Sequence, residues 1–134
     1  MANLAQDFNA MADQQSQFGG IDVDGVSARH SVSSRPVDLV HLARQSLGDR
    51  SLELEILGLF ASQSELYMSR LANAKTAEER KMAAHTILGS ARGIGAWDVA
   101  KEAQAIELDG KVKSDLAGLR RAVDAANNYI QSIL

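Results

Sequence analysis

The residue whose type and setting best suit chemistry is His85, in the run Ala84-His85-Thr86-Ile87-Leu88-Gly89-Ser90-Ala91-Arg92-Gly93-Ile94-Gly95-Ala96. The pattern around it is helical, and a helix turns about 100° per residue. Glu78, Lys81, Leu88, Gly89 and Arg92 then share the side of His85, while Ile87, Ser90 and Ile94 fall toward the core. Ser90 is therefore read as a packing residue rather than a nucleophile. Gly89 stands one turn beyond the histidine, where side chains are neighbours. A mid-helix glycine costs about 0.5–1 kcal/mol relative to alanine. Its useful effect is to clear space beside the imidazole for another protein's surface. An outward imidazole with room beside it suits chemistry or docking better than packing. The other histidines, His30 and His41, lack partners at metal-ligand spacing, His41 having only Asp38 nearby, and are read as incidental. No metal site is expected.

Helices must hold this residue in place. Residues 1–35, with Gln14-Gln15-Ser16-Gln17-Phe18-Gly19-Gly20 and four serines between Ser27 and Ser34, are read as a flexible tail with one short helix over Leu4 to Met11. The folded domain is expected over 36–134. Pro36 and Asp38 open a first short helix, striped by Leu39, Leu42, Ala43 and Leu47 and stopped by Gly48. Asp49 caps a second, which runs to about Ala74 with Leu52, Ile56, Leu59, Phe60, Leu66 and Leu71 as its apolar series. Thr76 and Glu79 form a capping-box pattern for a third, which carries His85 and ends at Gly95. Trp97 and Asp98 begin a fourth, with Val99, Ala103 and Ile106 inside and Leu108-Asp109-Gly110 at its end. Ser114 caps a fifth, with Leu116, Leu119, Val123, Ala126, Ile130 and Ile133 on one face. No alternating strand pattern, internal repeat or long heptad run occurs. The reading is all-α: an antiparallel four-helix bundle with a short additional N-terminal helix.

Composition narrows the function. The 134 residues fit one domain, and 46% apolar with 23% charged residues is globular. Only 4% are aromatic, so Leu, Ile and Ala must fill the core. A net charge of -3 provides no basic stripe for nucleic acid. The absence of cysteine excludes a disulfide scaffold and a thiolate metal site. No apolar run reaches the roughly 20 residues that span a bilayer. The first residues have no signal-peptide pattern, so a cytoplasmic protein is expected.

The run from His85 through Ala91, followed by Ile94-Gly95-Ala96, resembles the signature of histidine-containing phosphotransfer (HPt) domains. That pattern is a histidine, any residue, an aliphatic, a lysine, a glycine and two small residues, and then an aliphatic-glycine pair. Asp49 to Leu71 with Phe60, and Trp97 to Leu108, also resemble the family, so the likeness covers about residues 36 to 134. It implies an all-helical bundle and a role in a bacterial two-component phosphorelay. His85 would accept a phosphoryl group from a receiver-domain aspartate and pass it to another receiver aspartate. Free imidazole, ordinarily titrating near about 6.5, has a nucleophilic neutral form at cell pH. The resemblance makes Glu107 the partner of the second ring nitrogen, fixing the tautomer.

It also implies docking by response-regulator receivers over Leu88, Gly89 and Arg92. Leu88 stands where the family usually has lysine, and Lys81 and Arg92 are the candidates to supply the missing positive charge. No cofactor is implied for this chain, Mg2+ being expected on the receiver. The expected partners are receiver domains and a hybrid or separate histidine kinase, and the expected state is a monomer. No nucleotide-binding domain or phosphate-cradling glycine loop is read, so the chain is a carrier rather than a kinase. The alternatives are a degenerate HPt-fold module that binds receivers without carrying phosphate, marked by Leu88, and a helical scaffold in which His85 does nothing.

Overall fold

The computed structural model describes residues 35–111 and 115–134. The expected tail, with its Leu4 to Met11 helix and His30, lies outside the described residues. So does the Ser114 cap. Among the described residues there are five helices and no strands: α1 (Leu39–Gln45), α2 (Arg50–Ala72), α3 (Ala77–Ile94), α4 (Trp97–Asp109) and α5 (Ala117–Ile133). None is long and apolar enough to cross a membrane.

Local chemistry sets most boundaries. Asp38 starts α1, its carboxylate accepting the His41 backbone N–H at 3.1 Å. The expectation that Pro36 forms the first helical turn is thus corrected. Pro36 lies two residues ahead of the cap, and Val37 between them is fully buried. Asp49 caps α2 through the Leu52 N–H at 3.1 Å. Thr76 caps α3 through the Glu79 N–H at 3.1 Å, and Glu79 accepts in return from Lys75 N at 2.9 Å. Gly95 and Gly110 end α3 and α4 in the left-handed region at φ 76° and 67°, where glycine meets no Cβ penalty. At the start of α5, Asp115 accepts the Ala117 N–H at 2.9 Å.

The long helices close a ring in which α2 packs on α3, α3 on α4, α4 on α5, and α5 back on α2. Short connections between neighbours make this an antiparallel four-helix bundle, and α1 lies across α3 and α2. Phe60, Leu57, Leu71, Ile87, Leu119 and Ile130 are almost completely buried at its centre. Each such side chain contributes about 1.5–3 kcal/mol of transfer free energy.

The apolar series expected for α2 needs correction. Leu52 and Leu66 are 40% and 47% exposed, while Leu57, Ser64 and Met68 lie inside. Leu66 is about 120° round the helix from Phe60. Ser64 is tolerated inside because its hydroxyl donates to Ala61 O at 3.1 Å and accepts from Asn127 Nδ2 at 3.1 Å.

The closest packing is between α3 and α4. Ala84 and Ala91 on α3, and Ala100 and Ala103 on α4, are all buried. Small side chains let these two helices approach, and that approach positions the site.

Candidate functional site

His85 lies mid-way along α3 with its side chain 65% exposed. Glu107 lies in the last turn of α4. Its Oε2 is 2.7 Å from His85 Nδ1, and its side chain is only 15% exposed. A carboxylate accepts, so Nδ1 carries the proton. The lone pair of the neutral ring is then on Nε2, at the exposed end of the imidazole. The alanine-lined contact between α3 and α4 brings together two residues 22 apart in the sequence.

The expected neighbours separate by helical phase. Glu78 and Lys81 are exposed, and Gly89 and Arg92 are half-buried. Lys81, one turn before His85, lines a cavity of about 100 Å³ with Glu78, Arg80, Ile106, Glu107 and Lys111. Lys81 therefore lies toward α4, on the Glu107 side of the histidine. Arg92 is two turns beyond His85, about 10.5 Å along the helix axis.

Leu88 corrects the reading made from sequence. It was expected to be exposed and to form part of the docking patch, yet it is 3% exposed and belongs to the core. The reason is the width of the buried arc. α3 is covered by α2 on one flank and α4 on the other. Gly93 in the last turn aside, its buried positions therefore span from Ala83 and Ile94 through Ile87 and Ala91 to Ala84 and Leu88, about 140° of the helix. Leu88 sits on the α4 edge of that arc, 60° from His85. A narrow-stripe reading puts it outside, whereas a helix with two flanking partners takes it in.

Sequence reasoning also missed three residues around the site. Met82 and Leu108 are 70% and 76% exposed. Met82 precedes His85 by three positions, and Leu108 follows Glu107 directly. The same phase argument that singled out Lys81 could have flagged Met82. The third is His41, read as incidental. Its Nε2–H donates to the Arg92 carbonyl at 2.9 Å, and its ring meets the Trp97 ring edge-on at 4.9 Å. Trp97 Nε1–H in turn donates to Asp38 Oδ2 at 3.3 Å, and the Asp38 N–H donates to the Gly95 carbonyl at 3.0 Å. These contacts pin α1 to the end of the helix that carries His85. Nothing in the local spacing reveals them, because they join positions 51 to 59 residues apart.

No family model and no curated protein sequence matches the chain. The crystal structure of the histidine phosphotransferase ShpA from Caulobacter crescentus, at 1.52 Å resolution, is similar, with a TM-score of 0.60 and 33% sequence identity. The match covers 73% of this chain and 89% of that one. The chain belongs to the histidine phosphotransfer (HPt) family. Within an HPt bundle, the exposed imidazole on α3 and the carboxylate reaching it from α4 form the candidate phosphoryl-acceptor site. Among the described residues, no three histidine or carboxylate side chains gather as a metal site.

Proposed function

We propose that this HPt protein is a phosphorelay intermediate that accepts a phosphoryl group on His85 from a receiver-domain aspartate and passes it to a second receiver aspartate. The observation that carries the reading is the pairing of an exposed imidazole with a carboxylate 2.7 Å from Nδ1. In the forward step the Nε2 lone pair attacks the phosphorus of the donor's acyl phosphate. An N–P bond forms, the P–O bond to the aspartate breaks, and the aspartate leaves as a carboxylate with the bonding pair. The ring becomes a phosphoimidazolium whose Nδ1 proton stays hydrogen-bonded to Glu107. That carboxylate stabilises the positive charge that develops on the ring. Delivery to the next receiver is the same step reversed.

The acyl phosphate and its Mg2+ belong to the receiver, so the chain supplies only the nucleophile, its positioning and a docking face. Lys81 is the better candidate for the charge usually given by the family lysine, because it lies on the Glu107 side of His85. Arg92, half-buried two turns away, is the second. The partners are receiver domains and a hybrid or separate kinase, in a bacterial cytoplasm, with the protein acting as a monomer.

The buried leucine at position 88 favours a second reading, a module that docks receivers without carrying phosphate. Incubation with a phosphorylated receiver domain separates the two. The proposal expects acid-labile, base-stable label on the wild-type protein and none on His85→Gln. A stable complex without label would support the docking module. Label that persists in His85→Gln would overturn the assignment of the acceptor.

A further inference from the structure

Residues 1–34, outside the described part of the chain, have a composition that the bundle does not explain. They hold two of the three phenylalanines, Phe8 and Phe18. They also hold four aspartates, Asp7, Asp13, Asp22 and Asp24, against one arginine, Arg29. Residues 35–134 have equal numbers of acidic and basic side chains, so the net charge of -3 belongs to the first stretch. Within it, Leu4, Phe8 and Met11 recur at the spacing of one helix face, with Asp7 at its edge. Three apolar groups bury too little to hold a helix by themselves, so the stripe needs a surface. The bundle has one where these residues join it. Arg35 is exposed, Val37 is fully buried, and the Asp38 N–H donates to the Gly95 carbonyl at 3.0 Å, so the chain enters beside α1. There Val40 is 64% exposed, Leu47 93% and Leu52 40%. Val40 is on the outer face of α1, with exposed Arg44 one turn on. Leu47, in the turn between α1 and α2, has left-handed backbone at φ 56°. Glycine takes that conformation without a steric penalty and leucine does not. No contact among the described residues accounts for a strained leucine held in water, and strain of this kind points to function.

We propose that the segment Leu4 to Met11 docks on this corner of α1 and α2, Leu4, Phe8 and Met11 covering Val40, Leu47 and Leu52, with Asp7 turned toward Arg35 and Arg44. This docking is independent of the phosphorelay reading. Reach, linkage and charge select the occupant. Extended, the chain between Met11 and Arg35 spans about 80 Å, more than twice the length of α2, about 35 Å for its 23 residues. A segment attached in this way meets its surface at about millimolar effective concentration, so contact through a few side chains is enough to populate the bound form. The acidic groups of the corner are already engaged. Asp49 accepts the Leu52 N–H, and Glu53 accepts from Ser46 and pairs with Arg50. Arg35 and Arg44 stand in water beside the apolar groups, and an acidic amphipathic segment complements them. A second copy of the corner does not, because a two-fold pairing sets the same arginines against each other.

The test places a nitroxide at a single introduced thiol, since the chain has no cysteine of its own. Full-length protein enriched in nitrogen-15 carries it at Ser51→Cys, in the first turn of α2, or at Ser69→Cys, about 27 Å further along that helix. Both serines are exposed. The proposal expects the Ser51 probe to broaden the amide signals of residues 4–11 at least threefold more than the Ser69 probe does. Leu47→Gln and Phe8→Gln, each added to the Ser51 variant, are expected to remove the difference. Leu47 is in water and Phe8 precedes the bundle, so the amide signals of α2 to α5 should stay in place in both. Equal broadening from the two probe positions would overturn the docking, as would broadening that survives both substitutions. Mixing enriched protein without nitroxide and unenriched protein with it reads contacts between molecules. Broadening as strong in that mixture as within one molecule would overturn the intramolecular occupant and assign the corner to the same segment of a second copy.

Discussion

At the scale of single residues, the site is a histidine and a carboxylate, and the carboxylate does two things. It accepts the Nδ1 proton, and it places a negative charge beside the ring. Two variants separate these effects. Glu107→Gln keeps an acceptor and loses the charge, and Glu107→Ala loses both. The expected order of transfer rates from a phosphorylated receiver is wild type, then Gln, then Ala. A charged hydrogen bond of about 1.5–3 kcal/mol corresponds to a loss of about tenfold to a hundredfold for Ala. Single-turnover rates would measure it, and equal rates for Gln and Ala would mean that neutral hydrogen bonding contributes nothing. His85 could be singled out from its own setting on a helix face, whereas Glu107 was legible only through the family resemblance, because its bond to Nδ1 joins positions 22 apart. Leu88 could not be read correctly in the same way, since its burial depends on how many helices flank α3. The absent family lysine is thus replaced by a core side chain rather than by an exposed apolar contact.

The elements were legible where capping and glycine chemistry is local. Asp49, Thr76, Gly95 and Gly110 each mark a helix end in the structure. The α1 start was less legible, because proline and aspartate both signal helix beginnings and the carboxylate bond decides between them. Gly95 does more than end α3. A Cβ built there would lie 2.7 Å from Asp38 Cβ and close to the Asp38 backbone, at a φ of 76°. Gly95→Ala is therefore expected to destabilise the fold by about 2 kcal/mol or more, from left-handed strain and displacement of α1. Gly58 is the contrasting position, mid-α2 with open space around its Cα. Gly58→Ala should stabilise the protein by about 0.5–1 kcal/mol. Urea denaturation of the two variants would check both signs, and a destabilised Gly58→Ala would show that α2 uses this glycine for more than its backbone.

For the molecule as a whole, all-α architecture followed from composition and periodicity, but the long-range ties did not. The bonds from His41 to Arg92 and from Arg120 to Glu65 join residues 51 and 55 apart in the chain, and Asp124, one turn along α5, completes the Arg120 cluster. The Arg120 guanidinium is held protonated above its usual range, first by its hydrogen bond to Glu65 and then by that to Asp124. A raised folded-state value stabilises at every pH below the ordinary guanidinium range and is lost only as pH rises through it. This surface network therefore introduces no stability midpoint near neutrality, and its exposed pairs contribute at most about 1 kcal/mol each. The pinning of α1 has a different consequence. Trp97 is the chain's single tryptophan, and its indole bonds Asp38 and touches His41. Its fluorescence consequently reports the seating of α1, whereas far-ultraviolet circular dichroism reports mainly the long helices. A seven-residue helix with one buried residue of its own is marginal by itself. Its release is expected at lower denaturant than loss of the bundle, so the emission midpoint should precede the dichroism midpoint. Superimposable curves would make α1 part of one cooperative unit. In either case, one indole serves as an optical gauge of how firmly the end of the histidine's helix is held.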